Sequence, residues 1–127
     1  MKKKLLVVDD EDSIGLIIEI NFSDNYEIIH LKNGREALDW LYAGNMPEAI
    51  VADLNMPLLN GFEFLKTMRS SAFYKNVPVI ILSSDETSAM RIACFEAGAD
   101  DYLIKPFNPR ELELRIERII KWLTFQG

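Results

Sequence analysis

The stretch IVADLNMPLLNGFEFL, which occupies residues 50–65, contains a transition from strand to helix. Its apolar start favours a buried strand, and Asp53 follows that strand directly. The dipeptide Asn60–Gly61 is a turn signal, and the amphipathic stretch from there to residue 70 predicts a helix. The segment therefore predicts a strand, a loop and a helix, with an acidic residue where the strand ends.

The same alternation of a short apolar run and a longer amphipathic stretch repeats on both sides of this segment. The apolar runs predict five strands, at residues 4–8, 26–31, 49–52, 77–82 and 102–104. The amphipathic stretches predict five helices, at residues 12–22, 34–43, 61–70, 86–97 and 109 to about 123. Five successive βα units predict a doubly wound parallel sheet with helices on both faces, in one α/β domain over residues 1–127.

Composition limits the classes of function. A chain of 127 residues, 27% of them charged, is typical of one globular domain, and its net charge of -6 argues against direct nucleic-acid binding. The apolar run at residues 5–8 is too short for a signal-peptide core or a membrane span. The single cysteine, Cys94, cannot form an internal disulfide, so we expect a cytoplasmic setting and a buried thiol. His30 has no metal-ligating residue at a suitable spacing and is assigned no role.

Polar side chains are concentrated where the predicted strands end. They are Asp9 and Asp10 after the first strand, Asp53 and Asn55 after the third, Ser83 and Ser84 after the fourth, and Lys105 after the fifth. In open α/β sheets, ligands bind outside the carboxyl ends of the strands. Three carboxylates there would repel one another unless a cation lies between them, and ligation by oxygen atoms alone suits Mg2+.

These residue types together suit phosphate chemistry. Asp9, Asp10 and Asp53 carry three negative charges, which Lys105 and a bound Mg2+ would balance. An incoming phosphoryl group would then meet positive partners that are already in place. The Asp53 carboxylate can act as a nucleophile and form an acyl phosphate, and the Ser83 hydroxyl can hydrogen-bond a phosphoryl oxygen.

Each of these groups also has a purely structural explanation. Asp9 and Asp10 could cap the first helix, and residues 53–57 could form an ordinary turn. Residues 83–85 are expected to form the N-terminal cap of the fourth helix whatever else they do. The occurrence of all four groups at strand ends of one sheet favours the phosphate site.

The motifs that carry these residues resemble those of a known family, the receiver domains of bacterial two-component response regulators. They are LLVVDDED at residues 5–12, IVADLNMPLLNGFEFL at 50–65, VPVIILSS at 77–84 and AGADDYLIKPF at 97–107. The resemblance covers essentially the whole chain and implies a CheY-like, flavodoxin-like fold with strand order 2-1-3-4-5. A stand-alone receiver and the N-terminal receiver of a longer regulator both remain open.

The resemblance also implies a role for each site residue. Asp53 matches the phospho-acceptor, Asp9 and Asp10 match the acidic Mg2+-binding pair, and Asn55 matches the position whose backbone carbonyl completes the metal shell. Lys105 matches the phosphate-binding lysine, followed by a cis peptide bond to Pro106. The implied protein is a switch rather than an enzyme, and its phosphoryl donor is a histidine kinase or a phosphotransfer protein.

Two further residues, Ser83 and Tyr102, match the hydroxyl and aromatic switch residues of the family. There, the hydroxyl moves toward the phosphoryl group and the ring moves inward behind it. Ser83 stands where threonine is commoner, which keeps the hydroxyl donor.

Charged residues in the fourth helix, fifth strand and fifth helix resemble those with which OmpR/PhoB-type regulators dimerise on phosphorylation. The implied cross-subunit pairs are Arg91 with Glu111, Asp100 with Arg118, and Asp101 with Arg115. The alternative is a solvated helix face, because Glu111 and Arg115 are also an ordinary pair four residues apart.

The first helix offers a second candidate surface. We expect Ile17, Ile18 and Phe22 to face the core, which leaves Ile14, Leu16 and Ile20 wholly or partly outward. Such a patch would suit docking of a kinase or phosphotransfer helix, although scattered exposed aliphatic residues explain it equally well.

Three other functions share part of this residue set or this fold class. A phosphatase with an aspartyl-phosphate intermediate would use similar residues, but the chain has no cap insertion and no long pocket-forming loop. A phosphorylation-independent interaction module would not need the complete set of site residues. A flavin-binding protein would need a phosphate loop after the first strand, which this sequence lacks.

Overall fold

A computed structural model of the protein describes residues 2–126 and shows five strands alternating with five helices. The strands are β1 (Lys3–Val8), β2 (Tyr26–Leu31), β3 (Ala49–Asp53), β4 (Val79–Ser83) and β5 (Asp101–Ile104). The helices are α1 (Asp12–Phe22), α2 (Gly34–Tyr42), α3 (Gly61–Ser70), α4 (Ser88–Glu96) and α5 (Pro109–Gln126). All strand pairs are parallel and the order is β2-β1-β3-β4-β5, which confirms the predicted doubly wound, CheY-like sheet.

The sheet separates two apolar layers because successive side chains of a strand point to opposite faces. Leu6 and Val8 of β1 pack in the layer that includes side chains of α2, α3 and α4, whereas Leu5 and Val7 pack in the layer of α1 and α5. Every residue of the central strands β3 and β4 is buried. Burial of each large aliphatic side chain contributes roughly 1.5–3 kcal/mol, so these strands form a stable base for the loops at their carboxyl ends.

The loop after β3 is held close to the sheet by the start of α3. The Asn60 side chain accepts a hydrogen bond from the Glu63 N–H at 2.9 Å and so caps the helix. A Cβ atom on Gly61 would lie 2.3 Å from the carbonyl oxygen of Asp53, so a larger residue could not replace this glycine without a backbone shift. The helix can therefore approach the end of β3, where the predicted site lies.

The prediction that residues 83–85 cap the fourth helix is wrong. Helix α4 begins at Ser88 rather than at residue 86, and Thr87 is its N-cap. The Ser83 hydroxyl accepts instead from the Asp85 N–H at 2.9 Å, and the Asp85 carboxylate accepts from the Thr87 N–H at 2.8 Å. Both side chains satisfy donors within the loop between β4 and α4, so neither is left to cap the helix.

The predicted inner face of α1 is partly wrong. Ile18 and Phe22 are buried as expected, but Ile14 is 9% exposed whereas Ile17 is 37% exposed. The buried residues follow a spacing of four, so the inner stripe runs from Ile14 through Ile18 to Phe22. Leu16 and Ile20 are exposed, as predicted.

One other expectation concerns the single cysteine. Cys94 is buried in α4 as predicted. Within residues 2–126, no helix has the length and apolar character needed to cross a membrane.

Candidate functional site

The structure brings together the three carboxylates that the sequence placed at the strand ends. Asp9 and Asp10 follow β1, and Asp53 ends β3, the neighbouring strand. One carboxylate oxygen from each of the three lies within 4.8 Å of the others, so these side chains could hold one metal ion. Asp9 and Asp53 are buried, while Asp10 is exposed and leaves the cluster open to solvent.

Lys105 supplies the positive charge of the cluster. Its Nζ atom lies 2.9 Å from Asp9 Oδ2 and 3.3 Å from Asp53 Oδ1. The same atom lies 3.2 Å from Glu11 Oε1, a contact that sequence reasoning missed. The peptide bond between Lys105 and Pro106 is cis, as the resemblance implied. The Lys105 N–H also donates to the Ser83 carbonyl at 2.8 Å, which fixes the start of the loop between β5 and α5 beside β4.

The electrostatic setting of Asp53 follows from its burial. Burial, and next the negative charge of Asp9, raise the pKa of Asp53 to about 6, although Lys105 and the Asn55 N–H act in the opposite direction. An oxygen-rich cluster whose buried carboxylates repel one another is a suitable environment for a hard divalent cation. Asn55 itself is exposed in the loop beyond β3, two residues after Asp53.

Ser83 and Tyr102 lie on adjacent strands and contact the same loop residue. Ser83 is buried at the end of β4 and accepts a hydrogen bond from the Asp85 N–H. Tyr102 of β5 is also buried, and its hydroxyl donates to the Asp85 carbonyl at 2.8 Å. The ring packs in the same apolar layer as Cys94. The loop that leads to α4 is therefore held by both predicted switch residues.

Comparison with known protein families agrees with this fold and with the site at the ends of the strands. Residues 5–117 match the model of the response regulator receiver domain. The chain belongs to this family. It is 40% identical over 121 residues to "Probable transcriptional regulator ycf27" of Guillardia theta, a match that covers 94% of this chain and 46% of the relative. It is 36% identical over 122 residues to the alkaline phosphatase synthesis transcriptional regulatory protein PhoP of Bacillus subtilis, covering 95% and 50% of the two chains.

The curated relatives include OmpR/PhoB-type regulators, and this receiver spans about half of their length. Solved receiver structures are also similar. The Francisella response regulator 1452 receiver domain has a TM-score of 0.86 and 36% identity, and the match covers 96% of this chain and 99% of that one. The receiver domain of sensor histidine kinase PA1611 from Pseudomonas aeruginosa PAO1 has a TM-score of 0.84 and 27% identity, covering 95% and 99% of the two chains. That structure has a magnesium ion coordinated in its active site cleft.

The charged residues predicted to form a dimer face lie along α4, β5 and α5 of this receiver. Five of them line one groove: Asp100, Asp101, Glu111, Arg115 and Arg118. Arg91 lies on α4 and is outside this lining. Within the chain, the Arg115 guanidinium contacts Asp101 at 2.9 Å and Glu111 at 3.1 Å. The cross-subunit pairs remain a prediction, and in a dimer Arg115 would have to exchange or share these partners.

Proposed function

We propose that this receiver domain accepts a phosphoryl group on Asp53 from a histidine kinase or a phosphotransfer protein, in the presence of Mg2+. The observation that carries the proposal is the convergence of the Asp9, Asp10 and Asp53 carboxylates with Lys105 Nζ at one end of the sheet. Family membership supports it, because receiver domains interact with histidine kinases.

In this proposal, Mg2+ is held by the carboxylates of Asp9, Asp10 and Asp53 and by the backbone carbonyl of Asn55. When bound, the ion would neutralise the carboxylates and stabilise the charge that develops on the transferred phosphoryl group. The donor set supports this assignment because Mg2+ prefers oxygen ligands and retains waters, and the exposed Asp10 leaves room for them.

The chemistry then depends on the residues of the chain. An Asp53 carboxylate oxygen attacks the phosphorus atom and forms a P–O bond, while the P–N bond to the donor histidine breaks and its electron pair returns to the imidazole. The pKa of about 6 leaves Asp53 largely ionised, and so nucleophilic, at neutral pH. The Lys105 ammonium and the Ser83 hydroxyl stabilise the phosphoryl oxygens. The domain is a phospho-accepting switch that assists its own phosphorylation and dephosphorylation and turns over no other substrate.

Phosphorylation of Asp53 would change the conformation of the loop between β4 and α4. A phosphoryl group on Asp53 would accept a hydrogen bond from the Ser83 O–H, and a shift of the hydroxyl toward it would move the oxygen away from the Asp85 N–H, from which it now accepts. Because Tyr102 donates to the carbonyl of the same residue, a change at Asp85 alters the face formed by α4, β5 and α5. We propose that this face controls an output, or a phosphorylation-dependent homodimer through Arg91, Asp100, Asp101, Glu111, Arg115 and Arg118.

The surface proposed for the kinase or phosphotransfer protein is the exposed side of α1. Leu16 and Ile20 are 58% and 71% exposed there, and α1 follows the loop that carries Asp9 and Asp10. A partner helix docked on α1 would therefore bring its phosphohistidine to the carboxylate cluster. We propose a cytoplasmic setting for this exchange, with neither nucleic acid nor membrane bound by the domain itself.

The deciding experiment is intact-mass spectrometry after incubation with acetyl phosphate and Mg2+. We expect one phosphoryl adduct that requires Mg2+ and is absent from Asp53→Asn. Asp39→Asn, which changes an exposed carboxylate on α2, is the matched control and should be phosphorylated like the wild type. Absence of an adduct with several small phosphodonors would favour a phosphorylation-independent module. Turnover of added phosphomonoesters would favour a phosphatase.

A further inference from the structure

We infer that His30 is a positioning residue for the Asp9–Asp10 pair, and that residue 15 is glycine because the His30 imidazole occupies the space of a side chain there. This inference rests on the proposed Mg2+ site. It concerns a residue that was assigned no role from the sequence, since no other potential metal ligand lies at a suitable spacing from it.

Asp9 is held at four separate atoms. Its N–H donates to the Leu31 carbonyl at 3.0 Å, and its carbonyl accepts from His30 Nε2 at 2.8 Å. In the side chain, Oδ1 accepts from the Glu11 N–H at 2.9 Å and Oδ2 contacts Lys105 Nζ at 2.9 Å. The orientation of this buried carboxylate is therefore determined by groups from β2, the following loop and the end of β5.

The hydrogen bond from His30 to the Asp9 carbonyl lies just beyond the last paired residues of β1 and β2. The last paired residues are Val8 and Leu31, so the carbonyl of Asp9 lies beyond the regular pairing. The donor to this carbonyl is a side chain of β2, that of His30, one residue before Leu31. Because a carbonyl oxygen only accepts, the His30 Nε2 atom carries the proton in this bond.

The Asp9 carbonyl belongs to the peptide group that joins Asp9 to Asp10. A hydrogen bond to this carbonyl fixes the plane of that peptide and hence the direction in which Asp10 leaves the strand. The imidazole thereby fixes the backbone from which both side chains of the proposed metal pair project. Groups that orient metal ligands without binding the metal commonly change metal affinity about tenfold or more.

Gly15 provides the space that the imidazole needs. An ideal Cβ atom on residue 15 would lie 2.2 Å from His30 Nδ1 and 2.6 Å from Cγ, well inside van der Waals contact. Gly15 is the fourth residue of α1, a position where glycine is a poor helix former. Any larger residue there would push the ring away from Asp9. The glycine therefore makes this part of α1 less stable but leaves the space that the His30 contact needs.

The first test compares His30→Phe, which keeps a ring without a donor, with His30→Gln, whose amide N–H can replace the Nε2 donor. The Mg2+ dissociation constant is measured by NMR titration of the backbone amides of Asp9, Asp10 and Asp53. We expect about tenfold weaker binding for His30→Phe and a value within about twofold of wild type for His30→Gln. Equal binding by His30→Phe and wild type, or equally weak binding by both variants, would overturn the inference.

The second test keeps histidine at position 30 and displaces its ring by adding a side chain at position 15. Gly15→Ala should weaken Mg2+ binding when His30 is present and have no further effect in a His30→Ala background. An unchanged Mg2+ affinity in Gly15→Ala alone would overturn the proposed role of the glycine. Urea unfolding in a chelator checks that each variant is folded before the metal is added.

The wild type separates this inference from the proposed function. If the wild-type amides do not respond to Mg2+, the proposed metal site and the inference both fail. If the wild type binds Mg2+ and is phosphorylated, and the His30→Phe and Gly15→Ala variants bind Mg2+ as tightly as the wild type, only the inference fails.

Discussion

The Arg69 guanidinium donates a hydrogen bond to the Asp100 carboxylate over 2.8 Å and joins the end of α3 to the residue that precedes β5. The same guanidinium donates to the carbonyls of Gly98 and Val77, at 2.9 and 2.7 Å. Asp100 in turn accepts from the Val79 N–H at 2.8 Å. Asp100 therefore has partners within its own chain, whereas the resemblance implied a partner in a second subunit, Arg118.

Replacement of the arginine tests this structural role. Arg69→Met leaves the Asp100 carboxylate without its cation and removes the donor to the carbonyls of Gly98 and Val77. We expect the free energy of unfolding to fall by about 2–4 kcal/mol, measured by urea denaturation.

The matched control is Lys32→Met, because Lys32 pairs with Asp12 at 2.8 Å and both side chains are exposed. Its cost should stay below about 0.5 kcal/mol. An Arg69 variant as stable as the Lys32 variant would mean that the contacts of Arg69 do not stabilise the fold, and Asp100 would then be free to pair across a dimer face.

A second prediction separates the two isoleucines that the sequence placed on the wrong sides of α1. Ile14→Ala removes a buried side chain and should cost about 2–4 kcal/mol of unfolding free energy. Ile17→Ala should cost about 1 kcal/mol or less because Ile17 remains partly in water. Urea denaturation of the two variants side by side gives the order, and the reverse order would mean that α1 is rotated from the position described.

The sequence predicted the sheet and the carboxylate cluster because both depend on the succession of elements. Once five βα units form a parallel sheet, Asp9, Asp10 and Asp53 must lie at one rim, whatever the side-chain details. The inner face of α1 was harder to predict because residues 14, 17 and 18 are all isoleucine, and apolar periodicity alone permits either rotation.

Contacts between residues distant in sequence could not be predicted. His30 lies 21 positions from Asp9, and Lys105 lies 94 positions from Glu11. No local pattern marks such pairs, because they depend on the register of neighbouring strands and on loop paths. The start of α4 was missed for a related reason, since Ser83 and Asp85 are good capping residues that the loop uses for its own N–H groups.

A third prediction concerns the Cys94 thiol. It is completely buried in α4, and burial raises the pKa of this thiol above its ordinary value. Both effects slow alkylation, which requires an accessible thiolate. We expect iodoacetamide to modify Cys94 at least about a hundredfold more slowly in the folded protein than in urea.

An exposed thiol gives the reference rate for this comparison. Asp39→Cys, in a chain that also carries Cys94→Ser, places a thiol on the exposed surface of α2. Its alkylation should proceed at similar rates with and without urea. Similar rates for Cys94 in the two conditions would show that α4 opens readily and that its packing is looser than described.

The fourth prediction is a pH dependence that follows from Asp53. Folding raises the pKa of this carboxyl from 3.8 to about 6, so without a divalent cation the folded state binds its proton more tightly than the unfolded state. Below about pH 4 the group is protonated in both states and has no effect on stability. As the pH rises from about 4 to about 6, the unfolded state ionises first and stability falls, and above about pH 6 the full cost, at most about 3 kcal/mol, is present.

Asp53→Asn removes this ionisation and should therefore make the metal-free protein more stable at neutral pH, by up to about 3 kcal/mol. The difference between variant and wild type should disappear as the pH falls toward about 4, and urea denaturation in a chelator at a series of pH values measures it. Asp39→Asn, at an exposed carboxyl, should show no such trend. Added Mg2+ should stabilise the wild type more than Asp53→Asn, because the ion binds the folded carboxylate cluster. A variant that is less stable than the wild type at neutral pH, or a difference that grows as the pH falls, would mean that Lys105 outweighs burial and Asp9 in setting the charge of Asp53.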